Sequence, residues 1–195
     1  SAVNQTQQLE LLLARSHFKR ITIAKSQSTQ AGINNSYQYP ERMGVDRWLA
    51  MIAAYSYAQL GNEQFSGVIV VDAGSALTID VVNARGEHGG GYIVPGLIMS
   101  QQALFANTEQ VIQYKDGAAN SPQTDLYKKL GHDTNECVKN GVINQMLALI
   151  NQVKEEYSDY EIVFTGGDGD MLARALKTGT VDSDLVLKGL WQVRI

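Results

Sequence analysis

Hydrophobic positions in the middle of the chain form two runs separated by a short polar tip. Val68 to Val71 are all β-branched, which is typical of a strand buried on both faces. A second apolar run, Leu77 to Val82, follows Gly74 and alternates with polar residues. We therefore expect a β-hairpin over 67–82, with a further turn at Asn83–Gly86.

Helical periodicity occurs on both sides of this hairpin. Asp46 to Leu60 presents one broad apolar face that includes Tyr57, and Asn135 to Tyr157 repeats apolar residues at helical spacing. Shorter helices are predicted over 5–15, 97–106, 171–176 and 185–191, and strands over 21–24 and 161–164. Alternating helices and strands around one hairpin predict an α/β fold with a mixed sheet.

Composition narrows the function classes. The net charge is −4 without a block of Lys or Arg, so no nucleic-acid partner is expected. No apolar run has transmembrane length and no signal peptide is recognisable, so a cytoplasmic protein without a membrane partner is the default.

Cys137, as the single cysteine, excludes an intramolecular disulfide and is interpreted as a core residue. His17, His88 and His132 are interpreted as surface or loop residues.

Polar residues combine with glycines in four places, each at a predicted strand end or helix start. The segments are Gly44–Arg47, Asp72–Ser75, Gly89–Gly96 and Thr165–Asp168. Each has a plain alternative as a helix cap, a turn or a strand-to-helix elbow. The run Gly89–Gly91 is interpreted as irregular backbone rather than strand. Together the segments favour an anion or nucleotide site, although neither a Walker A pattern nor GxGxxG is present.

Read in order, these segments resemble a type III pantothenate kinase along nearly the whole chain. The matching motifs are Tyr37-x-x-Pro40, Gly44-x-Asp-Arg-Trp48, Asp72-x-Gly-Ser-Ala-x-Thr78, Gly-Gly-x-Ile-x-Pro-Gly96, Asp-Thr134, Phe-Thr-Gly-Gly-Asp168 and Leu-Val-Leu-Lys-Gly-Leu190. The resemblance implies the ribonuclease H-like fold of the actin, Hsp70 and sugar-kinase superfamily, built from two duplicated α/β halves. It also implies ATP-dependent phosphorylation of pantothenate to 4′-phosphopantothenate, the first step of coenzyme A biosynthesis.

The resemblance assigns substrate roles to single residues. Asp46 matches the general base, with helix capping as the plain alternative. Arg47 would pair the pantothenate carboxylate, against the alternative of a surface salt bridge. Thr134 would reach the substrate of the neighbouring subunit in a homodimer, or would cap its helix. The implied substrate-binding set is Tyr37, Gly44, Val45, Asp46, Arg47 and Thr134, with Tyr39 an open alternative to Tyr37.

The cofactors implied by the family are ATP, Mg²⁺ and a monovalent cation, K⁺ or NH₄⁺. Asp72 matches the ligand of the monovalent cation, and Ser75 stands in place of a threonine that contacts ATP phosphate. Asp80 and Asp168 are further candidates to approach the metal of the nucleotide. The implied adenosine-binding residues are Gly90, Gly91, Pro95 and Gly96.

One departure concerns the family's opening hairpin, whose Asp-x-Gly-Asn-Thr turn binds phosphate and is not found in this sequence. We therefore expect the first half of the fold to be incomplete, with residues 1–66 the remainder of the N-terminal half and 67–195 the C-terminal half. The chain by itself is then expected to have weak or no kinase activity. The alternatives are a non-catalytic nucleotide- or partner-binding relative, such as a transcriptional accessory factor, and another small-molecule kinase of the superfamily.

Overall fold

The fold is known from a computed structural model that describes residues 22–61, 64–107 and 129–193. The predicted helix over 5–15 and His17 lie outside the described residues. In chain order the elements are strands β1 (Thr29–Gln30) and β2 (Ile33–Asn34), a 3₁₀ turn (Pro40–Arg42), helix α1 (Val45–Gly61), strands β3 (Gly67–Ala73), β4 (Ala76–Asn83) and β5 (His88–Pro95), helices α2 (Leu97–Asn107) and α3 (Thr134–Glu156), strand β6 (Glu161–Thr165), helix α4 (Gly169–Leu176), strand β7 (Thr180–Val181) and helix α5 (Leu185–Gln192).

The main sheet has five strands in the order β5-β4-β3-β6-β7. Strands β3, β4 and β5 are antiparallel neighbours, whereas β3 pairs with β6, and β6 with β7, in parallel. The predicted hairpin is confirmed, with Gly67 opposite Asn83 and Ala73 opposite Leu77. This mixed sheet confirms the predicted α/β class.

Helices cover both faces of the sheet because the side chains of β3 alternate between two cores. Ile69 and Val71 pack with the apolar face of α3, and Val68 and Val70 pack with α1. All four side chains are buried, as the continuous β-branched run predicted. Since one core contains both α1 and β3, the helix that starts at Val45 is fixed directly to the centre of the sheet. The division at residue 66 stays a prediction.

Helix α1 is buried on more sides than its predicted single face. Helix α5 covers its outer side so closely that a Cβ on Gly189 would lie 2.0 Å from the carbonyl oxygen of Leu49. Met51 and Ala54, outside the predicted face, are also buried. Tyr57 was expected on the apolar face and is instead 48% exposed.

The glycine run Gly89–Gly91 lies within strand β5, so its prediction as irregular backbone is wrong. The strand tolerates glycine here because its pairing with β4 shifts by one residue between Val81 and Val82, as in a β-bulge. Gly91 also has no room for a side chain, since a Cβ would lie 2.1 Å from the carbonyl oxygen of Ile79.

Two smaller expectations are also wrong. Residues 22–24 of the predicted strand 21–24 have no strand structure. The N-cap of α3 is Asp133, whose side chain accepts a hydrogen bond from the Glu136 amide, and Thr134 is the first helical residue. None of the helices in the described ranges is long and apolar enough to cross a membrane.

Candidate active site

The ends of strands β3 and β6 bring two of the predicted segments together. Asp72 and Thr165 are register partners in the parallel pair, so the loop after Thr165 starts beside the hairpin tip. The amide of Asp168 donates to the carbonyl oxygen of Ala73 at 2.9 Å. Gly166 has a φ of +82°, and a Cβ there would lie 2.4 Å from the same oxygen. The loop therefore needs glycine to pack against the Asp72 segment.

The start of helix α2 joins the same edge. The Gly96 amide donates to the carbonyl oxygen of Ser75 at 2.9 Å. A Cβ on Gly96 would lie 2.1 Å from the carbonyl oxygen of Gly74. Ser75 itself is exposed at the tip, where its hydroxyl is accessible to a ligand.

Helix α1 brings a third group of residues towards Asp72. Asp46 lies in the first turn of α1 and is exposed, and its Oδ1 accepts from the backbone amide of Arg47 at 2.9 Å. A Cβ on Gly44 would lie 2.5 Å from that Oδ1. Asp46 is thus a first-turn acid, as predicted, while the helix itself begins at Val45.

Negative charge accumulates where these segments meet. Burial first, and then the charges of Asp46 and Asp80, raise the pKa of the Asp72 carboxyl above its ordinary value. Burial also raises the pKa of Asp168, whose side chain makes no capping hydrogen bond to α4. A cation beside Asp72 would relieve this repulsion, and hard monovalent cations prefer carboxylate and carbonyl oxygens. The residues present therefore fit the monovalent cation that the sequence predicted.

No larger metal centre is formed by the part of the chain that the structure describes. Among those residues, no group of three or more His, Cys, Asp or Glu side chains is placed to hold a metal ion. Asp80, a predicted candidate to approach a nucleotide-bound metal, lies in the core with both oxygens occupied by Arg47 and His88. That expectation for Asp80 is wrong.

Arg47 forms a bidentate ion pair with Asp80. Its Nε donates to Oδ2 at 2.9 Å, and its Nη2 donates to Oδ1 at 2.5 Å. Burial alone would raise the pKa of Asp80, but the hydrogen bonds from His88 and Arg47 and the positive charge of Arg47 outweigh it, so the pKa is lowered. The plain alternative for Arg47, a surface salt bridge, is wrong because the pair is buried.

His88 is buried within the same network, which contradicts its interpretation as a surface or loop residue. Its Nε2 lies 3.0 Å from Oδ1 of Asp80, and its Nδ1 lies 2.9 Å from Oγ of Ser36. Because a carboxylate only accepts hydrogen bonds, Nε2 must carry the proton towards Asp80. His132 is exposed, as predicted, whereas Cys137 is exposed rather than in the core.

The structure distinguishes between the two candidate tyrosines. The Tyr37 hydroxyl accepts from Nη1 of Arg47 at 2.8 Å, beside the first turn of α1. Tyr39 is 46% exposed and stacks under the guanidinium of Arg42 instead. The position of Tyr37 favours it as the substrate contact.

The four predicted adenosine residues fall in two separate places. Pro95 and Gly96 adjoin the hairpin tip, and Pro95 lines a cavity of about 300 Å³ between α2 and α3. Gly90 and Gly91 pair with Val81 and Asp80 further along β4 and line a second cavity of about 180 Å³. Only the first pair lies beside the Asp72–Ser75 tip.

Thr134 lies apart from the residues that surround Asp46. Helix α3, which begins at Thr134, packs on the opposite face of the sheet from α1. Within one chain the structure therefore does not bring Thr134 together with the predicted substrate residues of α1.

The sequence interpretation named Asp80 and His88 but missed that they form a buried network with Arg47. The sequence contained one signal of this network. Asp80 lies between Ile79 and Val81 in strand β4, and both of these neighbours are buried. A carboxylate at such a position requires a cationic or hydrogen-bonding partner. The partner itself could not be identified, because Arg47 lies 33 positions away in the chain.

Comparisons with known proteins agree with the motifs. A family model described as type III pantothenate kinase matches residues 1–156. The type III pantothenate kinase of Pseudoalteromonas translucida is 37% identical over 194 residues, covering 97% of this chain and 77% of that protein. The type III pantothenate kinase of Azotobacter vinelandii is 34% identical over 192 residues, covering 96% and 73%.

A solved structure shares the fold. A protein from Campylobacter jejuni, described as a Baf family transcriptional activator, superposes with a TM-score of 0.55 at 24% identity, over 82% of this chain and 65% of its own. At this identity the likeness concerns the fold alone. It agrees with the mixed α/β architecture described above.

Proposed function

Because the chain belongs to the type III pantothenate kinase family, we propose that it transfers the γ-phosphoryl group of ATP to the hydroxyl of pantothenate that becomes the 4′-phosphate. The observation that carries this proposal is the convergence of four segments at one edge of the sheet. The Asp72–Ser75 tip contacts the loop before Asp168 and the start of α2, and the charge of Asp46 acts on Asp72.

Asp46 is the proposed general base. It lies exposed in the first turn of α1, where its carboxylate can reach a bound hydroxyl. A carboxylate is only a weak base for the proton of an alcohol. This is tolerable because phosphoryl transfer depends mainly on positioning and on neutralising the charge that develops on the phosphoryl oxygens.

The hairpin tip is the proposed phosphate-binding element. Ser75 offers an exposed hydroxyl there, which can donate to a phosphate oxygen. ATP with Mg²⁺ supplies the phosphoryl group when bound. Asp72 holds the monovalent cation beside the tip, which places positive charge near the phosphates and lowers the repulsion that raises its own pKa.

The adenosine end of ATP is proposed to lie towards helix α2. Pro95 and Gly96 connect the tip to the cavity of about 300 Å³, which reaches the lower end of the size range of small-molecule sites. Gly90 and Gly91 stay proposed adenosine contacts, although Gly91 already has a packing reason to be glycine.

Pantothenate is proposed to lie between Tyr37 and the first turn of α1. A guanidinium has five N–H donors, and Arg47 directs only part of them to Asp80 and Tyr37. The two N–H donors that these bonds do not use, one on Nη1 and one on Nη2, are proposed to reach the pantothenate carboxylate, although the Arg47 side chain is only 5% exposed. Gly44 and Val45 would supply the backbone beside the carboxylate. Thr134 is proposed to serve the site of a second copy in a homodimer, consistent with its place on the opposite face of the sheet.

The test combines binding with turnover. Calorimetric titration of pantothenate and of ATP measures binding, and pantothenate-dependent ADP release measures transfer, with glycerol and a hexose as competing alcohols. We expect binding and transfer to be selective for pantothenate and Asp46→Asn to lose transfer while retaining binding.

Two outcomes would contradict the proposal. Transfer to glycerol or a hexose in preference to pantothenate would favour another small-molecule kinase. ATP binding without any binding of pantothenate would favour the non-catalytic relative.

A further inference from the structure

We propose that His88 is a positioning residue for the pantothenate site, acting through Ser36 on the segment that carries Tyr37. This inference rests on the proposed function and adds a residue to which no role in it has been assigned. His88 does not face the site itself, since its side chain is 0% exposed.

The imidazole joins two elements that are distant in the sequence. Nε2 contacts Oδ1 of Asp80 at 3.0 Å within the sheet. Nδ1 contacts Oγ of Ser36 at 2.9 Å in the loop after β2. With Nε2 donating to the carboxylate, a neutral ring accepts from the serine hydroxyl at Nδ1. Both nitrogens of the buried ring are therefore satisfied.

The loop side of this contact holds Tyr37 in place. Tyr37 directly follows Ser36, and its ring centroid lies 6.2 Å from that of His88. Its hydroxyl accepts from Nη1 of Arg47 at 2.8 Å, so the tip of the tyrosine ring is tied to α1 while the residue before it is tied to His88 through Ser36. A loop is otherwise the part of a fold with the least positional restraint, and a substrate contact needs a defined position.

On the sheet side of the contact, the Asp80 carboxylate holds the imidazole of His88. Asp80 holds Arg47 and His88 with the same carboxylate, so one buried anion fixes both partners of Tyr37. A Cβ on Gly91 would lie 2.6 Å from Oδ1 of Asp80. The glycine thus leaves the space that the carboxylate needs to accept from His88.

Two variants separate the two contacts of the ring. In His88→Gln the terminal amide can donate to Asp80 in place of Nε2, but the bond to Ser36 is lost. Ser36→Ala removes the same bond from the loop side, and Ser36 is exposed, so little stability should be lost. Ser28→Ala, at another exposed serine before β1, is the matched control.

The experiment measures pantothenate and ATP affinities of the whole chain by calorimetry, together with thermal midpoints. We expect His88→Gln and Ser36→Ala each to weaken pantothenate binding about 10-fold, as loss of a supporting hydrogen bond does in other sites. ATP binding should stay within about twofold, and the double variant should show the 10-fold loss once, because both changes remove one bond. Ser28→Ala should bind pantothenate like the unsubstituted chain.

The outcomes that overturn the inference are distinct from failure of the proposed function. Unchanged pantothenate binding in both variants overturns the role of His88 and leaves the proposed function intact. Equal losses for ATP and pantothenate, with a lower thermal midpoint, indicate a purely structural histidine and also overturn it. If the unsubstituted chain does not bind pantothenate, the proposed function fails, and this inference fails with it.

Discussion

Arg47 and Asp80 form an ion pair that joins the first turn of helix α1 to the middle of strand β4, with side chains only 5% and 2% exposed. The guanidinium donates to both carboxylate oxygens, the geometry that gives the strongest hydrogen bonds of this kind. The turn that carries Asp46 is therefore fixed to the sheet by a buried charge pair.

Removal of one partner of this pair should be far more costly than removal of both. Asp80→Leu leaves the Arg47 charge buried without a partner and should lower the free energy of unfolding by about 3–5 kcal/mol. The double variant Arg47→Met/Asp80→Leu should recover most of this loss, since no buried charge remains. Guanidinium chloride unfolding followed by circular dichroism measures both. A double variant as unstable as Asp80→Leu would contradict the expectation.

Acid should lower the stability of the fold, because it protonates the Asp80 carboxylate of the same pair. Because the folded-state pKa of Asp80 is lowered, the carboxylate contributes stability above about pH 4, the ordinary value for aspartic acid. This contribution is lost as the pH falls through the lowered pKa. Thermal midpoints measured from pH 5 downwards should therefore fall more steeply in the unsubstituted chain than in Asp80→Asn. Parallel curves for the two proteins would show that Asp80 is not the titrating group.

The contribution of Asp72 to stability should depend on pH with the opposite sign. Its pKa is raised, so its contribution to stability is present below about pH 4 and is lost as the pH rises through the raised value. Asp72→Asn should then stabilise the protein at neutral pH by about 0.5–1 kcal/mol, as substitutions that relieve functional-site repulsion do. The gain should disappear at acid pH, and any stabilisation by potassium should be lost. Thermal melts with and without potassium chloride measure both effects.

The control for Asp72→Asn is Asp159→Asn at an exposed acid. Away from the site, such a change should stay within about 0.5 kcal/mol at every pH. If Asp72→Asn destabilises the chain at neutral pH, the carboxylate is a structural residue and not the repelled group described above.

Substitution of Gly166 by alanine should cost far more stability than the same substitution at the neighbouring Gly167. Gly166→Ala places a Cβ 2.4 Å from the carbonyl oxygen of Ala73 at a φ of +82°, and should cost about 1–3 kcal/mol of stability. Gly167 has no described atom within 4 Å of its missing Cβ, so Gly167→Ala is the matched control and should be near neutral. Chemical denaturation separates them, and equal costs would contradict the tight packing of the loop.

The parts of the fold that the sequence predicted are those with a strong local pattern. Val68–Val71 is continuous and β-branched, and the structure makes it the central buried strand β3. Helix α1 begins and ends within one residue of its predicted bounds. The burial of its outer side was not predictable, because Gly189 on α5 contacts Leu49 only through tertiary packing.

The candidate site was likewise predicted only in part. The segments that contain Asp72 and Asp168 were singled out because they lie at predicted strand ends, where α/β folds place ligands, and the structure places these two loops in contact. Neither the role of Asp80 nor the burial of His88 could be derived, since each depends on partners distant in the chain. The glycines of β5 were misjudged because propensity does not account for a bulge on an edge strand.

The one-residue shift in pairing between β4 and β5 has a consequence for which way His88 points. With the shift, His88 is the register partner of Val82, whose side chain packs on the α1 side of the sheet. Without it, Gly89 would take that place, and since side chains alternate along a strand, His88 would project to the opposite face. The pairing shift therefore decides on which face of the sheet the imidazole lies, and deletion of Gly89 should leave His88 opposite Val82 in a regular ladder.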